Sequence, residues 1–294
     1  MPLPAWAVEV FFAEPKSFGD HARKISSRLK ASTTTYLKRP IESIPTTAAG
    51  ALSDYNNLVV AIGPEALRDV LAGPGNAPVL AVFVSKSSFE SIIEQTPRIR
   101  GRHISAIYSD PDPLKQVALV KALYGTSATS VLISSLKVGT YVSQYEEASK
   151  ELDVKLNIVN LSDVKSTSNF IRATNSAKTL LLLKDQELFD QISLEKLLLS
   201  SYDINRQGVI GYSRGLVKNG GAATTYSSVD NIAHSIYQQV NRINNEQPID
   251  PPHYTELFEV ALNKYILRSL DLTFVNEKSV HKRITQIVSE GGDT

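Results

Sequence analysis

Short apolar runs alternate with amphipathic stretches along nearly the whole chain. Val8–Phe12, Leu58–Ile62, Val79–Val84 and Ile104–Tyr108 are each too short for a typical helix and lack the polar alternation of a half-exposed strand. They read as strands buried on both faces, the pattern of a parallel sheet covered by helices. Between them lie helical signals: Asp20–Leu29, a helix opened by Pro64 with Leu67, Val70 and Leu71 on one face, and Ser88–Glu94. Gly73-Pro-Gly-Asn marks a turn. Asp110-Pro-Asp-Pro then interrupts the alternation and reads as a crossover into a second unit.

The second unit repeats the logic. A helix carries Leu114, Val117, Ala118 and Ala122 on one face, and Val131–Ile133 is the next strand. Tyr141, Tyr145, Ala148 and Leu152 mark a helix, followed by strand Lys155–Val159. Leu180–Leu183 is a buried strand ending in the polar tip Lys184-Asp185-Gln186, a helix follows, and Gly208–Ile210 is another strand. After Tyr226 comes a helix with Ile232, Ile236, Val240 and Ile243 on one stripe and Asp230 as its expected N-cap. Gln247-Pro-Ile-Asp-Pro-Pro is a stiff link into strand Glu256–Leu262 and helix Lys264–Leu270. The expected fold class is α/β, two doubly wound Rossmann-like lobes joined by a multi-strand hinge. Residues 1–110 with 228–250 form the first lobe and 111–227 with 251–294 the second, with a ligand cleft between them.

Composition narrows the class. A chain of 294 residues is long enough for about two domains of roughly 150 residues. With 42% hydrophobic and 21% charged residues, it is neither disordered nor membrane-embedded in character. A net charge of +1 argues against nucleic-acid binding, which needs a basic surface. Absence of cysteine rules out disulfides, thiolate metal sites and thiol nucleophiles, and fits an oxidising compartment. The opening Met1-Pro-Leu-Pro-Ala-Trp-Ala-Val lacks the basic and apolar regions of a signal peptide. Ala5-Trp6-Ala7 nevertheless has the small-x-small form of a cleavage site, as in a chain cut just inside its leader.

Lys178–Tyr226 carries the strongest likeness to a known family. Its strand, Lys184-Asp185, helix, Gly208–Ile210, Gly215-Leu-Val-Lys, Gly221-Ala and Thr225-Tyr226 follow one another in family order. The segment resembles the C-terminal half of the ABC-transporter substrate-binding proteins that include tryptophan- and tyrosine-type solute receptors. Val60-Ala-Ile-Gly-Pro-Glu-Ala, Pro78–Ser85, Ile104–Gly125 and Glu256–Leu272 extend the resemblance over most of the chain. It implies a type I periplasmic-binding-protein fold that clamps a small ligand by closing about a hinge. It also implies an extracytoplasmic or periplasmic monomer that delivers a small polar organic ligand, with amino acids the leading class, to a membrane permease. A sensor feeding a receptor kinase would use the same fold. No cofactor is implied. The chain departs from the family pattern in places: its Ser-Asp-Pro is here Ser85-Lys86-Ser87, its Gly-Thr-Pro is Gly63-Pro64-Glu65, and Lys184 replaces the threonine of its Thr-Asp-Asn while Asp185 is retained.

Candidate site residues sit at strand ends, where ligands bind in open α/β sheets. Asp185 is a partner for a ligand ammonium or a helix cap. Ser85 and Ser87 are donors to a ligand carboxylate at a helix N-terminus, or caps. Ser134 and Ser135 end a strand of the second lobe and carry the same two readings. Tyr212 ends another strand, and Tyr226 is placed to stack on a ligand or to lie at a rim. Against these stands a hydrolase reading: Gly211-Tyr-Ser-Arg-Gly215 fits the G-x-S-x-G nucleophile elbow, with Asp250 and His281 downstream in triad order. Too few residues separate Ser213 from Gly220-Gly221 for the supporting helix, and no His-Gly-Gly-Gly-like segment is present. The histidines at 21, 103, 234, 253 and 281 have no metal-ligand spacing, and no dinucleotide, P-loop or zinc-protease motif occurs.

Overall fold

A computed structural model describes residues 8–15, 19–96, 103–135, 139–272 and 276–291. The opening segment read as a leader remnant, 1–7, lies outside them. The chain begins β1 (Glu9–Glu14), α1 (Asp20–Leu37), β2 (Glu42–Pro45), α2 (Thr46–Ala51), β3 (Asn57–Ile62), α3 (Gly63–Ala72), β4 (Val79–Val84), α4 (Lys86–Gln95) and β5 (Ile104–Tyr108). It continues with α5 (Pro113–Tyr124), β6 (Thr129–Ser134), α6 (Gly139–Glu151), β7 (Lys155–Asn160), α7 (Thr167–Thr174) and β8 (Thr179–Leu181). Next come α8 (Gln186–Gln191), α9 (Leu194–Leu199), β9 (Gly208–Ile210), α10 (Arg214–Lys218) and β10 (Ala223–Tyr226). The last elements are α11 (Val229–Asn244), β11 (Glu259–Leu262), α12 (Lys264–Ser269) and α13 (Glu277–Gly291).

These elements form two compact units, Met1–Asp110 with Ser227–Phe258, and Pro111–Tyr226 with Glu259–Thr294. Residues 251–258 therefore belong with the first unit, not with the second as the proline-rich link suggests. Backbone pairing explains it: the Tyr108 amide donates to the His253 carbonyl and the His253 amide to the Ala106 carbonyl, both at 2.9 Å, extending the edge of β5.

The first unit is a parallel sheet in the order β2-β1-β3-β4-β5. Its strands are apolar throughout because both faces are covered. Val10, Phe12, Leu58, Val60, Leu80 and Val82 pack under α1 and α11 through Leu29, Ile232, Ile236 and Val240. Val59, Ala61, Val79 and Ala81 pack on the other side against Leu67, Val70, Phe89 and Ile92 of α3 and α4. Asp230 is not the cap of α11. Ser228 holds that role, accepting the Asn231 amide, and Asp230 instead pairs with Arg28 at 2.9 Å and accepts the Ser32 hydroxyl at 2.6 Å. Those two bonds tie α11 to α1 and hold the Asp230 carboxyl below its usual range.

The second unit has the order β11-β10-β9-β8-β6-β7, with β11 alone antiparallel. Val131, Ile133, Leu180 and Val209 pack against Phe170, Leu188, Leu197 and Leu216. Helix α5 packs against α6, α13 and β10. β8 ends at Leu181, two residues short of the expected Leu183; Leu182 and Leu183 are buried beyond it, and the Leu182 amide still donates to the Ile210 carbonyl at 2.9 Å.

Candidate ligand-binding site

In a parallel sheet every strand delivers its C-terminal end to the same edge, so strand order fixes which side chains become neighbours there. In the first unit that edge carries Glu14 after β1, Gly63 after β3, Ser85 after β4 and Asp110 after β5. β4 reaches it through a bulge: the register with β5 shifts between Val82 and Val84, and Phe83 sits at φ 54°, a left-handed conformation unfavourable for a residue with a Cβ. The bulge breaks strand alternation, so Val82 and Phe83 both pack with the α1 face while Val84 joins the α3 face.

Ser85 caps α4. Its Oγ accepts the Ser88 amide at 3.1 Å and donates to Ser88 Oγ at 2.7 Å, and Ser87 Oγ stands 3.3 Å away. Asp110 Oδ2 accepts the Lys86 amide at 2.6 Å. The N-terminus of α4, expected to receive a ligand carboxylate, is thus held by a hydroxyl and a carboxylate of the chain itself. The Lys86 ammonium lies 3.5 Å from Glu90 and 5.8 Å from the centre of the Tyr108 ring. Burial, then the charges of Glu90 and Asp110, push the Tyr108 hydroxyl up to about 12.

In the second unit the edge carries Ser134 and Ser135 after β6, Asp185 after β8, Tyr212 after β9 and Tyr226 at the end of β10. Asp185 is 3% exposed and uses both oxygens: Oδ2 accepts the Ser135 amide at 2.8 Å and Oδ1 accepts the Glu187 amide at 3.1 Å, which caps α8. The chain therefore brings Asp185 and Ser135 into contact across fifty residues of sequence. Ser134 Oγ donates to the Ser135 carbonyl at 3.3 Å, and Ser135 Oγ is buried with no hydrogen-bond partner among the described residues. The Tyr212 ring leans on Phe189, centres 6.1 Å apart, and burial raises its hydroxyl pKa. The Tyr226 hydroxyl donates to Glu259 Oε2 at 2.6 Å; burial first, then that bond and the Glu259 charge, push it up to about 12.

Behind this edge, α5 supplies a support the sequence reading did not single out as a site element. Gln116, 2% exposed, donates to the Gly211 carbonyl at 2.8 Å and to Thr224 Oγ1 at 3.2 Å, and Thr224 Oγ1 donates to the same carbonyl at 2.6 Å. A glutamine inside an apolar helix face is the signal that could have found it, since a buried amide must be satisfied.

Solved structures share this two-unit topology. A ligand-free, open substrate-binding protein with adhesive properties from Clostridium difficile superposes at TM-score 0.65, with 14% identity over 90% of this chain and 95% of that one. The chain has the type I periplasmic-binding-protein fold. An ABC domain from Streptococcus pneumonia in complex with L-Trp matches this fold at TM-score 0.56 and 14% identity, over 94% of this chain and 98% of that one. A periplasmic ribose ABC transporter protein from Conexibacter woesei matches at 0.51 and 12%, over 90% and 95%. No family model matches the chain, and no curated protein matches it.

Within the periplasmic-binding-protein frame, the elbow motif has a structural explanation. Ser213 Oγ accepts the Leu216 amide at 3.2 Å and caps α10, a helix of only 5 residues. Asp250 is engaged within the first unit, accepting Gln239 Nε2 at 2.8 Å and pairing with Arg242 at 3.1 Å. Among the described residues no group of three or more metal-ligating side chains is assembled, and no helix is long and apolar enough to cross a membrane.

Proposed function

We propose that the protein is the solute-binding component of an ABC-type uptake system. It takes a small polar organic ligand at the C-terminal strand edges of its two units and acts by closing one unit on the other. The observation that supports this reading is the topology. Two doubly wound units are joined by chain crossings after Asp110, Tyr226 and Phe258, an arrangement shared over nearly the full length of a substrate-binding protein. The buried hydroxyl of Ser135 and the Glu14 carboxylate, each on one of those edges, suit a ligand with hydrogen-bonding groups. Amino acids are the leading class, and the L-Trp complex among the neighbours supports that choice. In this reading the protein works outside the cytoplasm, as a monomer, and passes its ligand to a membrane permease.

The test is a thermal-shift screen of metabolites followed by small-angle scattering. A ligand at a hundred times its dissociation constant should stabilise the protein by about 2.7 kcal/mol. Only the closed form touches it with both units, so the radius of gyration should fall on binding. Scattering curves that coincide with and without a tight ligand would rule out closure.

A further inference from the structure

Of the charged groups at the strand edges, Glu14 is the one whose surroundings hold it ready for a partner. It ends β1, and the pairing of Ala13 with Ala61 sets it beside the turn from β3 into α3. β1 and β3 are the neighbours whose following helices leave to opposite faces, α1 to the side of Phe12 and α3 to the side of Ala61. A crevice opens at such a reversal in an open α/β sheet, and ligands settle in it. Gly63 lines this turn at φ 86°, with no atom within 4 Å of the place a Cβ would occupy. A side chain there would be strained by the backbone, and the space beside it is open.

Glu14 is oriented from behind. Its Oε1 accepts the hydroxyl of Ser26 at 2.5 Å, and Ser26 is 2% exposed on α1. Among the described residues no cation and no second donor pairs with the half-buried Glu14 side chain. The rest of the edge is unsuited to an anion. The Lys86 amide is taken by Asp110, the Ser88 amide by Ser85, and the Lys86 ammonium by Glu90. A neutral donor that fixes a carboxylate without neutralising it leaves the charge for a ligand, and a partly desolvated carboxylate gains most from a charged N–H partner.

We propose that Glu14 is the specificity-determining residue of the first unit and that the ligand presents a cationic nitrogen, an ammonium or guanidinium, to it. This rests on the solute-binding reading above and replaces the assignment of a ligand carboxylate to Ser85. It divides the solutes that the fold can carry: amines are taken, and neutral sugars are not.

The experiment screens the purified chain by thermal shift against two sets, the proteinogenic L-amino acids with agmatine and putrescine, and the neutral aldoses ribose, galactose and xylose. Calorimetry then measures each compound that binds. A compound of the first set is expected to bind, and Glu14→Gln, which keeps an oxygen for Ser26, to weaken it by about thirtyfold or more. The des-amino analogue of that compound, with hydroxyl in place of the amine, should lose a similar factor on the unaltered protein. This second measurement holds even if the variant folds poorly. Ser26→Ala should weaken binding less than Glu14→Gln does, because it frees the carboxylate to move without removing it. An aldose that binds, or an amine bound equally by Glu14→Gln and as well as its des-amino analogue, overturns the assignment and leaves solute binding standing. No binding from either set overturns both.

Discussion

Asp185 offers the sharpest test of what the strand-end polar groups do. Its carboxylate is buried and spends both oxygens on backbone amides, those of Ser135 and Glu187. Asp185→Ala removes a helix cap, a loss of about 0.5–2 kcal/mol. It also leaves the Ser135 N–H buried without an acceptor, a further loss of about 1–3 kcal/mol. Together these come to about 1.5–5 kcal/mol. For a protein of this size each kcal/mol moves the melting temperature by roughly 2–4 °C, so a fall of roughly 10 °C is expected. Asp185→Asn keeps one carbonyl oxygen and turns a donor toward the second amide. It can satisfy Glu187 or Ser135 but not both, and about half of the loss should remain. Scanning calorimetry on the variants measures the total, and amide hydrogen exchange at Ser135 reports the lost bond directly. Wild-type stability in Asp185→Asn, with Ser135 still protected, would refute the double-acceptor geometry. If ligand affinity drops in Asp185→Asn while stability holds, the aspartate serves the ligand and not the fold.

Two further outcomes follow from the same side chains. Tyr108, Tyr124 and Tyr226 are pushed up to about 12, burial being the first cause in each, so the fold favours their neutral form. Their contribution to stability is whole below pH 10, the unfolded value, and is lost as pH climbs through 12. Absorbance at 295 nm should therefore show a set of tyrosines ionising late and together with unfolding, and independent titration of all of them near 10 would contradict the burial. At Ser213, a fluorophosphonate probe should give no label and Ser213→Ala should lose about 1 kcal/mol as a missing cap; stoichiometric labelling would reinstate a serine nucleophile.

Strands with apolar runs covered on both faces were legible. Val79–Val84, Ile104–Tyr108 and Gly208–Ile210 run between the same residues in sequence and structure. The edge strand Glu42–Pro45 escaped notice because it is short, ends in proline and has no apolar run, and α2 behind it has no stripe. β10 was missed for a different reason. Ala223-Thr-Thr-Tyr is polar in sequence yet largely buried, and its polar groups are accommodated by the Gly211 carbonyl on the neighbouring strand's end and by Gln116, which lies more than a hundred residues away along the chain. Helix α13 anchors through little more than Val280 and Ile284, too sparse a pattern to read. At the site, strand-end positions could be read one residue at a time, but partnerships could not. Nothing local in the sequence joins Asp185 to Ser135 or Asp110 to Lys86, and Asp230 looked like a cap only because its partner Arg28 is two hundred residues away.

Those partnerships change what the edges can recognise. A helix N-terminus attracts an anion through unsatisfied amides, yet here α4, α7, α8, α9, α10 and α11 each have a side-chain cap, from Ser85, Ser166, Asp185, Ser193, Ser213 and Ser228 in turn. The serines that a motif search would assign to a ligand are largely occupied in ending helices. Some polar capacity is left after capping. Among the described residues of the second unit, the hydroxyls of Ser135 and Thr225 are buried without a protein partner toward the ends of β6 and β10. In the first unit that capacity includes the Glu14 carboxylate, backed by one hydroxyl. A buried group lacking a partner carries a desolvation cost that a ligand group can relieve, whereas a cap must be broken before it can bind anything. Selectivity is therefore expected to follow the residues with unused bonds, and Ser85, the residue best placed by sequence alone, is expected to matter more for the register of α4 than for the choice of solute.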